Sequence, residues 1–387
     1  MRLVLLGPFA LSPKGTVSQR VLPLGRALVR RGHQVWLLVP PYDNPAERGS
    51  RFEDEGVQVD ELAAGGLAGW VKDLVGRTSE IAPDVVHLFK PVGPAAVAAL
   101  ALSTRFPIVL DQDDWEGRGG FASTGAYPPA VAAAIDLQER LTPRVVRQIT
   151  VASRTLGQRA RRRGFASERV HYLPNCVERS NLGRTASAEE VAAFRVGAGA
   201  GDDPIVLYLG HVPPANDLDL AAAALAPLAE AGQAFRWVLV GDGPGLATLR
   251  ASLPSALAAR TSFPGRVARK GLPAAFAASR LLLVPARDTP INRAKCAMKV
   301  VDSLAAGLPV VASDVGQHRE YVVPDVTGLL APTEDIASLT HAVLRLLENE
   351  DLARRLGVAA AARMRWGYTW DHWAGQAERA YRLALIG

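Results

Sequence analysis

Short apolar segments alternate along this chain with alanine-rich helical stretches, and they do so in two successive series. Strands that are apolar on both faces and separated by helices are typical of a parallel sheet covered by helices on both sides. In the first series we predict strands at residues 2–6, 34–39, 84–88, 108–111, 149–152 and 170–173, with helices at 18–31 and 94–103. In the second series we predict strands at 205–209, 237–240, 281–284 and 310–312. The chain is therefore predicted to be an α/β protein with two doubly wound, Rossmann-like domains.

The strand pattern stops between Cys176 and Asp203, where the sequence becomes polar and rich in glycine and alanine. We therefore predict an N-terminal domain at 1–178, a linker at 179–203 and a C-terminal domain at 204–366. Ligands bind such sheets at the carboxyl ends of the strands. Two domains of this kind are thus expected to face a cleft that holds the functional site.

Composition excludes several classes of protein. The 387 residues are 49% hydrophobic and 21% charged, which is typical of a globular chain rather than a disordered one. No apolar run in the sequence approaches the roughly 20 residues that a membrane-spanning helix needs. Two cysteines give neither a disulfide framework nor a cluster of metal ligands. We expect a cytoplasmic protein without a metal site.

The chain carries a formal net charge of +6, and its arginines concentrate between residues 144 and 169, where Glu168 is the single acid. A basic surface attracts phosphate groups. Because no aromatic residues interleave these arginines and no nucleic-acid-binding motif is present, nucleic acid is not expected as a partner. Two interpretations remain open for the cluster at Arg159 and 161–163: a solvated helix face, or a weak peripheral contact with an anionic membrane.

Two glycine-containing loops follow predicted strands. One runs from Gly7 to Thr16 and includes Gly15, and the other is the segment GDGP at 241–244. Glycine lets backbone amides approach a phosphate at a helix N-terminus, but both loops also fit simple turns between strand and helix. The first loop lacks the pattern G-x-G-x-x-G, so no nicotinamide dinucleotide is implied.

Several segments resemble motifs of the GT-B-fold glycosyltransferases. The family is the large retaining one, called family 4-like or group 1, that includes mannosyl- and glucosyltransferases. The matching segments follow the family's order over most of the chain, and they are RGHQV (31–35), PDVVH (83–87), YLPNCVE (172–178), LYLG (207–210), GDGP (241–244), FPGRV (263–267), DSLAAGLPVV (302–311), TGLL (327–330) and YTWDHW (368–373).

This resemblance implies that the second domain binds a nucleoside-diphosphate sugar, the donor, and that the first domain binds the acceptor of the sugar. It also implies transfer with retention of the anomeric configuration and without a metal, because amides, basic side chains and a helix N-terminus balance the charge of the pyrophosphate. The nucleotide sugar is then a substrate, and no cofactor is expected. The final helix, at 367–387, is expected to return to the first domain.

The chain departs from the family at charged positions. The family has two glutamates separated by seven residues, and here the corresponding positions hold Ala294 and Asp302. Where the family has a basic pair after the first strand of the second domain, this chain has His211 and Asn216, which bring little charge at neutral pH.

A different basic pair, Lys295 and Lys299, lies nearby. On one continuous helix these lysines would share a face, with Asp302 three residues after Lys299. We predict that both lysines are catalytic, and that the donor is bound by Gly15, Thr16, His211, Asn216, Gly241, Arg266 and Asp302. The alternative for the lysines is a solvated face with an intrahelical ion pair.

In the first domain, the acidic loop DQDDWE (111–116) follows a predicted strand at its carboxyl end, where the family's loop meets the acceptor hydroxyl. Carboxylates accept hydroxyl protons, and an indole stacks on the apolar face of a sugar. We therefore predict Asp113 as a catalytic carboxylate and Asp111, Asp114, Trp115 and His87 as acceptor-binding residues. Capping of the following loop, and a structural role for His87, are the alternatives.

Two functions remain open. The first is a retaining hexosyltransferase that acts on a hydroxyl of a lipid, a glycan or a small molecule. The second is a catalytically silent GT-B protein that binds a sugar nucleotide or a partner. Ala294 and the altered basic pair favour the second, whereas the glycine loops, the two lysines and the acidic loop favour the first. We expect the first, and the arginine segment slightly favours a lipid-linked acceptor at the inner face of the membrane.

Overall fold

The computed structural model describes residues 1–213 and 217–386, and these residues form two compact units. Unit 1 contains Met1–Cys176, Arg293–Cys296 and the C-terminal residues from Tyr368 onward. Unit 2 contains Val177–Asn292 and Ala297–Gly367. Each unit is built on its own sheet, so the prediction of an α/β protein with two Rossmann-like sheets is confirmed.

The strands of the described residues are, in chain order, β1 (Arg2–Leu6), β2 (Gln34–Val39), β3 (Arg51–Asp54), β4 (Val57–Glu61), β5 (Val85–Phe89), β6 (Ile108–Gln112), β7 (Gln148–Val151), β8 (Val170–Tyr172), β9 (Ile205–Leu209), β10 (Arg236–Val240), β11 (Thr261–Gly265), β12 (Leu281–Val284), β13 (Val310–Ser313) and β14 (Gly328–Ala331). The α-helices of the same residues are α1 (Leu22–Arg30), α2 (Gly66–Ile81), α3 (Gly93–Leu102), α4 (Pro129–Leu141), α5 (Arg154–Arg162), α6 (Ala188–Gly197), α7 (Leu218–Glu230), α8 (Gly245–Ser252), α9 (Ser255–Ala258), α10 (Leu272–Ala277), α11 (Pro290–Ala294), α12 (Met298–Ala305), α13 (His318–Tyr321), α14 (Ile336–Glu348), α15 (Glu350–Gly367) and α16 (Trp370–Ile386).

In unit 1 the strand order is β3-β4-β2-β1-β5-β6-β7-β8, and every neighbouring pair is parallel except β3 and β4. The predicted strands are present, with ends that differ by one residue at most. The predicted first helix begins with a π-helical turn, Val17–Val21, before α1. One face of the sheet packs against α1 and α16, and the other packs against α2 and α3.

The β3–β4 hairpin was not predicted. Its strands meet at a two-residue turn of Glu55 and Gly56, which both have positive φ, 46° and 85°. Such a turn matches the twist of the flanking strands. The sequence signal was weak because β3 is largely exposed at the edge of the sheet and carries charged side chains.

In unit 2 the strand order is β11-β10-β9-β12-β13-β14, and all pairs are parallel. The four predicted strands form its centre, and the two strands that were not predicted, β11 and β14, form its edges. The stretch predicted as a linker contains helix α6, which begins at a capping box between Ser187 and Glu190. Among the described residues, no helix is long and apolar enough to span a membrane.

A buried ion pair joins the beginning of the first helix in unit 1 to the central strands. Arg20, which is 1% exposed, donates two hydrogen bonds to Asp111, at 2.8 and 2.7 Å. Its remaining donors reach the side-chain oxygen of Asn175 at 2.9 Å and the carbonyl of Leu173 at 2.8 Å. Burial opposes the charge, but pairing with Asp111 raises the pKa of Arg20 above its ordinary value, so the guanidinium stays charged.

The same carboxylate ends a chain of buried hydrogen bonds. Thr150 donates to Asp111 at 2.6 Å, and His87 lies 3.3 Å from the Thr150 hydroxyl and 2.8 Å from the hydroxyl of Tyr381 in α16. Because the Thr150 proton is used on Asp111, His87 Nε2 is the donor to Thr150 and Nδ1 accepts from Tyr381. Burial, reinforced by Arg20, lowers the pKa of His87 to about 3, which keeps the ring neutral.

We expect Arg20→Met to lower the free energy of unfolding of unit 1 by about 3–5 kcal/mol, because Asp111 is left as a buried and unpaired charge. Arg140→Met is the matched control, since Arg140 is mostly exposed and pairs with Asp136 on the surface of α4. Its loss should cost no more than about 1 kcal/mol. Urea denaturation of both variants measures the difference, and equal losses would contradict the role given to Arg20.

Candidate functional site

The carboxyl ends of β9 and β10 in unit 2 are joined by backbone hydrogen bonds between the loops that follow them. The Gly210 N–H donates to Val240, and the Val212 N–H donates to Asp242, at 2.9 and 2.8 Å. The Gly241 N–H donates to Gly265 at the end of β11, also at 2.9 Å. Backbone hydrogen bonds therefore connect the loops after all three strands, and the carboxyl ends of these strands form one continuous edge.

Close packing of these loops explains the glycines of the GDGP segment. A Cβ added to Gly241 would lie 2.0 Å from the Gly210 carbonyl oxygen, and one added to Gly243 would lie 2.2 Å from that of Val212. Their φ angles, 145° and 144°, also favour glycine. The Gly241 amide is already bonded to Gly265, so the glycine is required by the turn itself, whatever it contributes to a ligand.

Three charged or titratable side chains converge on this edge. Asp242 lies between His211 and Arg266: its Oδ1 is 3.6 Å from His211 Nδ1, and its Oδ2 is 3.0 Å from Arg266 Nε. All three side chains are more than half exposed. His211 and Arg266, which were predicted to bind the donor, are thus brought together with Gly241.

Lys299 lies at the same edge. Its ammonium would be 2.8 Å from a Cβ added to Gly210, and it sits 4.2 Å from the ring centroid of Tyr208, an ordinary cation–π distance. Burial lowers the pKa of Lys299 to about 8. The cation therefore lies at the start of α12, directly beside the loop that carries His211.

Lys295 and Lys299 do not share a helix face, and that part of the prediction was wrong. Helix α11 ends at Ala294 and α12 begins at Met298, so Lys295 lies in the break between them. Asn175 holds this break within unit 1: its side chain donates to the Cys296 carbonyl at 2.7 Å, and its N–H donates to Cys296 Sγ at 3.2 Å. Exposed Lys295 is 5.6 Å from the ring of Phe121, also in unit 1.

Asp302 lies one turn after Lys299 on α12 and faces a pocket within unit 2. Its carboxylate is 3.8 Å from Arg269, and the pocket is completed by Asn181, Arg184 and an apolar wall that includes Phe276. The side chain is only 13% exposed. Burial, partly offset by Arg269, raises the pKa of Asp302 to about 6.

A second cluster lies at the carboxyl ends of β5 and β6 in unit 1. Lys90 directly follows β5 and pairs with Asp113, Asp114 and Glu116, at 3.1, 2.8 and 2.6 Å. Burial together with the neighbouring carboxylates outweighs the attraction of Lys90 and raises the pKa of Asp114 to about 6. Lys90 was not predicted, although a lysine directly after an apolar strand was a usable signal.

The three carboxylates offer oxygens within 4.8 Å of one another, a spacing that suits a metal ion. Lys90 is already paired with each of them, so a divalent cation would compete with a buried ammonium there. Thr16 joins the cluster, since its hydroxyl is 3.4 Å from Asp113, and Gly15 precedes it in the same loop. These two residues, predicted to bind the donor, therefore neighbour the predicted catalytic carboxylate in unit 1.

Two predicted acceptor-binding residues are corrected to structural roles. Asp111 is fully buried with its oxygens bonded to Arg20 and Thr150, and His87 is buried between Thr150 and Tyr381. Neither presents a free polar atom to a ligand. The apolar strand before Asp111 suggested an exposed carboxyl end, but the acid still lies inside the sheet, paired with a buried arginine.

Trp115 is half-buried and lies under the guanidinium of Arg159, 4.3 Å from its ring centroid to the cation. Arg159 in turn pairs at 2.6 Å with Glu139, whose other oxygen accepts the Gly117 N–H. These contacts hold the acidic loop in place from α4 and α5. Asn216, also predicted to bind the donor, lies outside the described residues.

The arginine segment is only partly a free basic surface. Arg159 pairs with Glu139, and Arg147 and Arg169 donate to backbone carbonyls of unit 1. Arg161 and Arg162 are exposed at the end of α5. The cationic face is therefore smaller than the sequence suggested.

Both halves of the chain match known protein families. Residues 203–349 match the family described as "Glycosyl transferases group 1", and residues 15–176 match the "Glycosyl transferase 4-like domain". The chain is 26% identical over 395 residues to a phosphatidyl-myo-inositol mannosyltransferase of Mycobacterium leprae, a match that covers 98% of this chain and 96% of the relative.

Another relative is a 2-deoxystreptamine glucosyltransferase of Streptomyces kanamyceticus, 28% identical over 201 residues. That match covers 52% of this chain and 51% of the relative, so the chain spans about half the length of that enzyme. Among solved structures, sucrose-phosphate synthase from Thermosynechococcus elongatus has a TM-score of 0.77 at 21% identity, with 98% of each chain covered. That similarity shows a shared fold.

The raised pKa of Asp302 predicts a pH-dependent stability. The unfolded carboxyl ionises near its ordinary pKa, whereas the folded one stays protonated up to about 6. The contribution of the protonated Asp302 carboxyl to the free energy of unfolding is therefore fully present below about pH 4. This contribution is lost as the pH rises to about 6. We expect Asp302→Asn to be more stable than the wild type at pH 8, by up to about 3 kcal/mol.

Melting temperatures of both proteins between pH 4 and 8 measure this effect, with Asp325→Asn as the control. Asp325 is exposed and pairs with Arg345 on the surface of unit 2, so its replacement should leave the pH profile unchanged. A wild-type curve parallel to that of Asp302→Asn would show that the carboxyl ionises normally.

Proposed function

Because the chain belongs to the glycosyl transferases of group 1 and is a glycosyltransferase of the GT-B type, we propose that it transfers a sugar from a nucleoside-diphosphate sugar to a hydroxyl with retention of configuration and without a metal. The observation that carries this proposal is the cationic edge of unit 2. Lys299, Arg266 and His211 surround the ends of three parallel strands. Parallel sheets bind phosphates at such an edge.

In this proposal the edge binds the diphosphate of the donor. Lys299 and Arg266 balance its charge as the bond between the sugar and the phosphate breaks, in the place that a metal takes in other enzymes. Asp302 accepts hydrogen bonds from the ribose hydroxyls, beside Arg269 and the apolar wall of its pocket. Gly241 acts by keeping the loops closely packed.

Unit 1 supplies the acceptor side. In this proposal Asp113 accepts the proton of the acceptor hydroxyl as the new bond forms. Thr16 and Lys90 hold this carboxylate, and Asp114 and Trp115 line the acidic loop beside it. Lys295, which lies in the break between α11 and α12, remains a proposed donor contact in addition to Lys299 on α12.

For the acceptor we propose a lipid-linked hydroxyl, reached at a membrane surface by weak peripheral contact. The nearly full-length similarity to a phosphatidyl-myo-inositol mannosyltransferase supports this choice. Exposed Arg161 and Arg162 supply the attraction to anionic lipid. A free small-molecule acceptor is the competing choice, and the similarity to a 2-deoxystreptamine glucosyltransferase supports it.

A second candidate function is binding of a sugar nucleotide without turnover. Ala294 takes the place of the family's first glutamate, and it is 1% exposed within an apolar cluster of unit 1. No carboxylate is therefore available at that position. The cationic edge of unit 2, which includes Lys299, is the feature that favours the active enzyme over this candidate.

Nucleotide release from a panel of UDP-, GDP- and ADP-sugars tests the function. We expect release with at least one donor when candidate lipid and small-molecule hydroxyl acceptors are supplied, and we expect the same rate after EDTA treatment. Loss of activity in EDTA with recovery in magnesium or manganese would contradict metal independence. Donor binding without release under any condition would favour the silent protein.

Binding measurements on lysine variants test where the donor binds. Lys299→Ala should weaken binding of the nucleoside diphosphate by about tenfold or more, since a charge-assisted hydrogen bond contributes roughly 1.5–3 kcal/mol. Lys72→Ala, an exposed lysine on α2, is the control. Unchanged binding in Lys299→Ala would remove the diphosphate from this edge, and Lys295→Ala tests the second lysine separately.

Sedimentation with liposomes tests the membrane contact. We expect more protein to pellet with vesicles containing phosphatidylglycerol than with phosphatidylcholine vesicles, because each basic residue near an anionic surface contributes about 1 kcal/mol. Replacing Arg161 and Arg162 by glutamine should remove the difference. Replacing exposed Arg354 and Arg355 in unit 2 is the control. Equal or absent pelleting with both vesicles would favour the free acceptor.

A further inference from the structure

An acidic side chain stands where the proposed function places a diphosphate. Asp242 contacts two of the three cationic or titratable groups of the unit 2 edge: Arg266 at 3.0 Å and His211 at 3.6 Å. Its two carboxylate oxygens are directed at different partners, as two phosphate oxygens would be. Arg266 and His211 are therefore already in contact with an internal anion.

We propose that Asp242 is an internal competitor of the diphosphate: it occupies Arg266 and His211 in the free protein and takes them back when the nucleotide product leaves. The inference rests on the proposed function, because it assumes that this edge binds the donor. It adds a residue that limits the affinity for the product, a role that neither the motif nor the fold assigns.

The backbone under Asp242 is rigid, and this rigidity fixes the position of the carboxylate. Its carbonyl accepts the Val212 N–H at 2.8 Å, and it lies between Gly241 and Gly243, whose close contacts leave no room for a Cβ. The carboxylate is thus presented from a fixed turn. It can leave the cations by rotating its own side chain, without a change in the loop.

Exposure makes the exchange rapid and reversible. More than half of each of the three side chains is accessible to water, so the ion pair with Arg266 and the contact with His211 are weak and can be replaced by a ligand. This contrasts with the buried pair of Arg20 and Asp111, which no ligand in solution can reach. A weak pair suits competition, whereas a strong one would block the site.

Electrostatics gives the sign of the expected effect. If Asp242 only competes with the diphosphate, its neutralisation frees Arg266 and removes a nearby negative charge, so the nucleotide binds more tightly. If Asp242 instead holds Arg266 and His211 in the orientation that the ligand needs, its neutralisation weakens binding. The direction of the change therefore distinguishes a competitor from a positioning residue.

The test measures binding of UDP, GDP and ADP to the whole protein and to Asp242→Asn by titration calorimetry. We expect the dissociation constant of the nucleotide that the wild type binds best to fall about threefold to tenfold in about 50 mM salt. The gain should shrink in about 500 mM salt, because exposed charges are screened. Asp325→Asn, which neutralises the exposed partner of Arg345, should change nothing.

A double variant shows whether Arg266 is the contested group. In an Arg266→Ala background, Asp242→Asn should bring a smaller gain than in the wild type, since the competition for the guanidinium is gone. An equal gain would show that Asp242 does not compete for Arg266. Asp242 would then weaken binding only by electrostatic repulsion of the nucleotide. Stopped-flow dissociation supplies a second readout: the nucleotide should leave Asp242→Asn more slowly than it leaves the wild type.

The outcomes separate this inference from the function on which it rests. If the wild type binds a nucleotide and Asp242→Asn binds it equally or more weakly, the competitor role is overturned while the donor site stands. If Lys299→Ala also leaves binding unchanged, the nucleotide binds elsewhere and both proposals fail. If the wild type binds none of the three nucleotides, no diphosphate exists for Asp242 to displace, and both are again overturned.

Discussion

The pairing of Arg20 with Asp111 is the interaction on which unit 1 depends. A guanidinium in an apolar interior is tolerated only when its donors are satisfied, and here Asp111, Asn175 and Leu173 together satisfy them. These partners come from two distant parts of the chain, and Arg20 itself comes from a third. The ion pair therefore fixes the loop with Thr16, the end of β6 and the segment after β8 relative to one another.

The ion pair also positions the acidic loop, because Asp111 is the first residue of that loop. Asp111 points into the core, and the chain then turns outward, so that Asp113 and Asp114 reach Lys90 at the end of the neighbouring strand. In unit 2 the loops at the carboxyl edge are held by backbone hydrogen bonds rather than by a buried ion pair. These bonds join the loops after β9 and β10, and glycines permit the close approach.

The sequence predicted the central strands well because they are buried on both faces and therefore read as unbroken apolar runs. It missed the β3–β4 hairpin of unit 1 and the edge strands β11 and β14 of unit 2, and three of these four strands carry charged, polar or proline residues that hide the pattern. The motifs LYLG (207–210), GDGP (241–244) and FPGRV (263–267) were recognised by their order alone, and the structure brings them together at the ends of β9, β10 and β11. The order of the motifs carries no signal for which side chains from distant parts of the chain pair with one another.

The same limit explains the errors at the candidate site. Helical spacing placed Lys295 beside Lys299, but the helix is interrupted between Ala294 and Met298, where Cys296 bonds to Asn175 from more than a hundred residues earlier. Asp111 was taken for a ligand-facing acid because Arg20 is remote in sequence. Lys90 was overlooked because its carboxylate partners become visible only when β5 and β6 lie side by side.

The assignment of Arg293–Cys296 to unit 1 has a consequence for the exchange of parts between related proteins. A chimera that takes residues 177–367 from a relative replaces Cys296 and its neighbours but keeps Asn175. The foreign segment must then offer a carbonyl and a small polarisable side chain at the same place, or the backbone N–H and the side-chain NH2 of Asn175 lose the acceptors that Cys296 provides. The two halves of the sequence are thus not independent modules, because buried Ala294 and Cys296, together with α16, complete the interior of the first unit from the second half of the chain.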